Sequence, residues 1–283
     1  KINGGYTLSL VHIFVLAIIQ GITEFLPISS SGHLAIIPWF VKWPDQGIVF
    51  DIAVHIGTLL AVIIYFWKDL TNIVCSIMGI KIFSGLNGIA MLSRVAVTIP
   101  PVFIAGAIVA WKDPSFIRTI EIIAITTISF GVLLWLADKY NLSAKKIEKT
   151  SITKILIIGL FQAIAVIPGT SRSGITITAA RMMGIERTEA AKFSMLISIP
   201  VIIGAGSVAG FKWATTEQTF SLHEAGLAVL ISFITALLSI TALMKLVKII
   251  HYGPFALYRI IVGVALLVWI YFFDTIGLQT ITN

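Results

Sequence analysis

Six stretches of the chain, residues 50–67, 89–110, 116–137, 193–210, 226–247 and 257–273, are apolar for long enough to cross a hydrocarbon core of about 30 Å as helices. Two further apolar stretches are interrupted. Residues 8–26 run into Pro27 and the polar segment Ile28-Ser29-Ser30-Ser31-Gly32. Residues 152–167 run into Pro168 and Gly169-Thr170-Ser171-Arg172-Ser173-Gly174. A short apolar stretch follows each break, at 33–41 and 175–183. Proline removes a backbone donor and clashes with the preceding turn. Helix, polar break and short helix therefore predict a re-entrant hairpin at about 8–41 and another at 152–183. Broken backbone at membrane depth survives only where protein or a cavity shields it.

The breaks repeat. A shift of 142 residues lays Gln20 on Gln162, Ile22 on Ile164, Ser29 on Ser171, Ser31 on Ser173 and Gly32 on Gly174, five identities in thirteen positions. The following spans fall into near register. Each half then holds one hairpin and three spans, and an odd number of crossings inverts the second half relative to the first. The expected fold is an all-α polytopic membrane protein built as an inverted repeat. The first repeat is 1–137, a linker follows at 138–151, and the second repeat is 152–283. The weak point is the apolar run 73–80, whose crossing would make the parity even. Inverted repeats of this kind bring broken helix ends to a midplane site.

Composition narrows the class. Of 283 residues 58% are hydrophobic and 12% charged, with a mean hydropathy of +1.00. Soluble domains carry about 25% charge, and this much apolar surface amounts to roughly eight spans of 20 residues. The first apolar run contains Gln20 and Glu24 and lacks a small-residue cleavage site, so it does not read as a signal peptide. Cys75 is the sole cysteine, which excludes an internal disulfide and a multi-cysteine metal site. The net charge of +7 does not call for nucleic acid. Fourteen basic residues fall on one side of the expected topology: Lys68, Lys81, Arg94, Lys139, Lys145, Lys146, Lys149, Lys154, Arg181, Arg187, Lys192, Lys245, Lys248 and Arg259. Five fall on the other: Lys1, Lys42, Lys112, Arg118 and Lys212. The positive-inside rule makes the linker side cytoplasmic and puts both termini outside. No loop is long enough for a soluble catalytic domain, so any chemistry belongs to the membrane region.

Few residues there can carry it. Glu24 lies one helical turn after Gln20, so both face the same way, and an ionisable group inside a span is a functional candidate. Ser29, Ser30, Ser31, Gly32 and His33 open the short helix after the first break. Serine becomes a nucleophile when a base is near, and Glu24 or His33 could serve. Thr170, Ser171, Ser173 and Gly174 flank Arg172, whose planar fork suits phosphate. An internal ion pair with Glu24 is the bland alternative, and the two roles are compatible. Two helix N-termini favour an anion, so the expected ligand is a phosphate or pyrophosphate. Mg²⁺ or Ca²⁺ could bridge Glu24 to its oxygens. Asp51, His55, Gly57 and Thr58 read at least as well as core or capping residues. Pro100-Pro101 and Ser198 with Pro200 read as helix kinks, Tyr258-Arg259 as an interfacial anchor. Trp39, Trp43, Trp67 and Trp111 read as interfacial aromatics.

Gln20-Gly21-Ile22-Thr23-Glu24-Phe25-Leu26-Pro27-Ile28-Ser29-Ser30-Ser31-Gly32-His33 and Pro168-Gly169-Thr170-Ser171-Arg172-Ser173-Gly174 resemble the two signature motifs of the undecaprenyl-diphosphate phosphatase family, also called BacA or UppP. The resemblance covers essentially the whole chain. It implies a bacterial inner-membrane enzyme that removes one phosphate from undecaprenyl diphosphate, recycles the peptidoglycan lipid carrier and affects bacitracin sensitivity. It implies catalytic roles for Glu24, Ser30, His33 and Arg172. Gln20 stands where the family has Glu or Gln, so this motif lacks a second carboxylate. Ser30 and an activated water remain alternative nucleophiles. Expected partners are the lipid diphosphate and membrane lipids, with a homodimer allowed and nucleic acid excluded. The site is expected to open to the periplasm. The rival reading is an inverted-repeat transporter or flippase for a phosphorylated lipid or anion.

Overall fold

The computed structural model describes residues 9–80, 88–112, 117, 119–141, 144–214 and 221–275. The helices among them are α1 (Leu10–Thr23), α2 (Ser30–Val41), α3 (Gly47–Tyr65), α4 (Trp67–Ile77), α5 (Gly88–Lys112), α6 (Ile120–Tyr140), α7 (Ile152–Ala163), α8 (Arg172–Met182), α9 (Arg187–Ala214), α10 (Leu222–Leu246) and α11 (Gly253–Thr275). Short 3₁₀ turns occupy Ile147–Lys149 and Ile164–Val166. No strand is formed among the described residues; Lys145 and Ile185 make an isolated parallel bridge. Lys1, Lys81 and Arg118, the expected outward termini, position 116 and linker positions 142–143 lie outside the described residues.

Helices α3, α5, α6, α9, α10 and α11 are the six expected spans, each apolar and at least 19 residues long. Their boundaries differ by a few residues from the apolar runs. α3 stops at Tyr65, short of Trp67, and α9 reaches back to Arg187 because its first turn is polar. α4 has 11 residues, about 16 Å at 1.5 Å per residue. That is shorter than the hydrocarbon core of about 30 Å, and α4 is not among the helices long and apolar enough to cross. α5 continues through Pro100 and Pro101, and α9 through Pro200. Trp39, Trp67 and Trp111 are exposed, whereas Trp43 packs against His12 with the ring centroids 4.1 Å apart and the planes tilted by 48°.

α10 lies along both α1 and α3, α5 along α7, and α11 along α6, while α3 also packs on α9. Lipid offers no hydrophobic drive between helices, so close backbone approach through small residues supplies the packing. Gly57 shows this. A Cβ there would stand 2.0 Å from Ser232 Oγ and 2.4 Å from the Val229 carbonyl oxygen. Gly57→Ala is expected to destabilise by about 1–3 kcal/mol or more, because the backbone it meets cannot step aside. Thermal unfolding in detergent measures this, with Gly106→Ala as control, since a Cβ at Gly106 meets nothing within 4 Å.

The linker end is held by charge. The buried Asp138 Oδ1 accepts from Arg181 Nε at 2.9 Å and Arg187 Nε at 2.8 Å. Its Oδ2 accepts from the Tyr252 backbone at 2.8 Å. Arg94 donates to the linker carbonyls of Ile147, Glu148 and Thr150, and Lys192 pairs with Asp69 at 2.6 Å.

Candidate active site

The two breaks have the same local geometry. α1 ends at Thr23 with Glu24 as its cap, and α2 begins after Ser29. α7 ends through a 3₁₀ turn, and α8 begins after Ser171. Ser29 has φ 75° and Ser171 φ 67°, a left-handed backbone that non-glycine residues adopt at a cost of about 1–3 kcal/mol. Each of these serines caps its short helix. Ser29 Oγ accepts from Gly32 N at 3.3 Å and Ser171 Oγ from Gly174 N at 3.1 Å. Each also meets the serine two residues on, Ser31 at 3.5 Å and Ser173 at 3.2 Å. The breaks touch, because Ser173 Oγ donates to the Leu26 carbonyl at 2.8 Å.

Glu24 stands at this junction, 8% exposed. Its Oε1 accepts from Arg172 at 2.8 Å. Its Oε2 accepts from Ser30 Oγ at 2.7 Å and from Gln20 Nε2 at 2.9 Å. A second Arg172 nitrogen donates to the Ser194 carbonyl at 3.2 Å. Four expected site residues from α1, α2 and α8 thus form one network. Gln20 Oε1 and Thr170 Oγ1 are buried with no bonding partner among the described residues.

His33 is set apart. The Ser29 carbonyl accepts from its Nδ1 at 2.7 Å, which leaves Nε2 to accept from the Tyr258 hydroxyl at 2.6 Å. The Ser30 hydroxyl bonds Glu24, not His33.

Two residues passed over in the sequence belong here. Arg259, read as an interfacial anchor, is fully buried. It donates to the carbonyls of Thr127 (3.2 Å), Gly169 (3.0 Å), Thr170 (2.8 Å) and Pro27 (3.5 Å). Among the described residues it has no acidic partner, so an arginine in the apolar interior is stabilised by backbone carbonyls of the two breaks and of α6. Thr126 Oγ1 donates to Pro168 O and Thr127 Oγ1 to Gly169 O, which completes the cradle of the second break. His55, for which a core or capping role read at least as well as a site role, sits with Nε2 3.9 Å from Glu24 Oε2 and donates from Nδ1 to the Asp51 carbonyl. A basic residue early in an apolar run and a histidine within one were the available signals; neither gives depth or partner.

The arrangement fits an anion and poorly fits a resident cation. Both Glu24 oxygens are engaged by hydrogen-bond donors, and the described residues contain no group of three or more His, Cys, Asp or Glu able to hold a metal. A serine hydroxyl on a carboxylate is an activated nucleophile or a clamp for one. Arg172 and two helix N-termini supply the positive potential that phosphate requires.

Comparison with known proteins agrees with this chemistry. The family model described as bacitracin resistance protein BacA matches residues 13–265. A protein of Ruegeria pomeroyi named undecaprenyl-diphosphatase is 41% identical over 265 residues, covering 92% of this chain and 98% of that protein. Proteins of the same name from Teredinibacter turnerae and Hahella chejuensis are 42% and 44% identical, each over 92% of this chain. With its two motifs joined around Glu24 and Arg172 and its length matched almost throughout, the chain belongs to the BacA family.

Proposed function

We propose that this protein hydrolyses undecaprenyl diphosphate to undecaprenyl phosphate and inorganic phosphate in a bacterial inner membrane, so returning the lipid carrier to peptidoglycan synthesis. The observation that carries this is the Ser30–Glu24–Arg172 chain, linked at 2.7 and 2.8 Å where two broken helices meet. The diphosphate takes Arg172 and the N-termini of α2 and α8 as its counter-charge. Ser30 Oγ, or a water in its place, attacks the terminal phosphorus and passes its proton to Glu24. The phosphoanhydride bond breaks, and the lipid phosphate leaves with the electron pair; on the serine route a water then hydrolyses the phosphoserine, which frees inorganic phosphate and returns a proton to Ser30 Oγ. Gln20 orients the carboxylate, and Ser29, Ser31, Gly32, Thr170, Ser171, Ser173 and Gly174 shape the phosphate cradle. His33, held by Tyr258, lines the approach. A divalent cation, were one to accompany the diphosphate, would supply charge neutralisation from the substrate side, because both Glu24 oxygens are already engaged.

The same reading takes the two broken segments as re-entrant hairpins of an inverted repeat. Matched left-handed serine caps support it, as does the way helices exchange partners. α1 packs on α10 and its counterpart α7 on α5, while the counterparts α3 and α9, and α6 and α11, pack on each other. α4 has no counterpart. The linker side is then cytoplasmic, both termini lie outside, and the cradle opens to the periplasm. A transporter would not need a serine hydroxyl on Glu24.

The test is phosphate release from C55 diphosphate by the purified protein, with and without EDTA and without any gradient. Release is expected from the wild type, and none would sink the reading. Ser30→Ala separates the two nucleophiles. If the serine attacks, release falls by about 10³-fold or more, as when one member of a nucleophile–base unit is lost; if water attacks, most activity survives.

A further inference from the structure

At the linker end, Asp138 is shared by two arginines, so the buried cluster keeps a net positive charge. Arg181 spends its remaining nitrogens on the carbonyls of Ile185 and Asn141. Arg187 differs. Its Nε holds Asp138, its side chain is 36% exposed, and its terminal nitrogens have no bonding partner among the described residues. Arg187 lines a cavity of about 380 Å³ together with Trp135, Asp138, Lys139, His251 and Gly253, within the range of about 300–1,000 Å³ usual for small-molecule sites; the Asp138 carboxylate in this wall is already engaged by Arg181, Arg187 and the Tyr252 backbone. A second cavity, with Thr188 and Lys248 in its wall, shares Arg187. Lys139 Nζ lies 4.6 Å over the Trp135 ring, both residues lining the first cavity. From there the outer faces of α6 and α11 continue into the span as exposed Val132, Leu257 and Ile261.

Loop cations that merely set orientation need only be exposed. Here a guanidinium is oriented by a buried carboxylate and presented to a cavity beside an ammonium and an indole, above an apolar track. We propose that this cavity binds the phosphate headgroup of an anionic lipid in the linker-side leaflet. Arg187 and Lys139 hold the phosphate, Trp135 sits at the glycerol level, and one acyl chain lies along Leu257 and Ile261. Basic pockets between helices at this depth are the chemistry that recognises such headgroups. The site is remote from Glu24 and independent of the proposed hydrolysis.

The experiment is native mass spectrometry of the full chain, delipidated in detergent and mixed with phosphatidylglycerol, phosphatidylcholine or inorganic phosphate. Retention of phosphatidylglycerol over phosphatidylcholine is expected. Retention should fall about five-fold in Lys139→Gln and again in Arg187→Gln, the equivalent of about 1 kcal/mol per cation near a membrane surface. Lys139→Gln leaves every partner of Asp138 in place, so it decides the matter alone if Arg187→Gln does not fold. Equal retention of the two lipids, or unchanged retention in Lys139→Gln, overturns the proposal. So does binding of inorganic phosphate that displaces the lipid entirely, which would assign the cavity to a free anion.

Discussion

Glu24→Gln is expected to lower phosphate release from C55 diphosphate by about 10³-fold, within the 10²–10⁴ range for a positioned acid–base group. The fold should persist. Glutamine keeps an acceptor for Arg172 and a partner for Ser30, and Gln20 can turn its unpaired Oε1 to the new NH2 in place of the bond its Nε2 loses, so the junction holds while the base is gone. The carboxylate is the atom group on which Arg172, Ser30 and Gln20 converge, and among the described residues it is the one base that the Ser30 hydroxyl contacts directly. Release is measured on purified protein at equal folded concentration, with thermal unfolding run alongside. Activity within ten-fold of wild type would remove Glu24 from the chemistry. Glu24→Ala should behave worse, because it also strands a nearly buried guanidinium, a change that typically costs about 3–5 kcal/mol.

Arg259→Met is the second large effect, and it should appear in stability as well as rate. The substitution strips donors from the carbonyls of Thr127, Gly169 and Thr170. Each buried orphan costs about 1–3 kcal/mol, partly offset because an arginine without a carboxylate no longer has to be buried. The expected balance is a loss of roughly 3 kcal/mol, together with loss of the cradle shape and so of activity. Arg259→Lys should rescue little of either, since one ammonium cannot reach carbonyls that a planar fork spans. A lysine variant that melts and turns over like wild type would show that charge alone is needed. Gly174 reinforces the point: a Cβ there would lie 2.5 Å from an Arg259 terminal nitrogen, so arginine and α8 are fitted to each other.

The six spans were legible because a bilayer imposes a length, and a run of apolar residues either meets it or does not. The breaks were legible because proline followed by serines cannot continue a helix and is costly to place in lipid. Glu24 and Arg172 stood out as charges at those breaks, and their contact follows from the repeat. The rest depends on depth and on distant partners, which a one-dimensional pattern does not carry. Arg259 sits six residues after the start of α11, where hydropathy alone cannot separate an interface from an interior. His55 meets Glu24 across α1 and α3, and His33 finds Tyr258 at the far end of the chain. The run at 73–80 looked like a piece of a span because half of an amphipathic helix does.

The Glu24–Arg172 contact joins residues 148 positions apart, and that separation bears on how the protein is made. The ribosome delivers α1 and the first three spans long before α8 exists. Until then Glu24 has Gln20, Ser30 and the His55 ring beside it but no arginine. The first half must therefore wait with its carboxylate near water or headgroups, and α1 can settle only when α8 arrives to neutralise it. Insertion of the second half is then the step that closes the first, and a chain truncated within the linker should leave α1 accessible from the aqueous side.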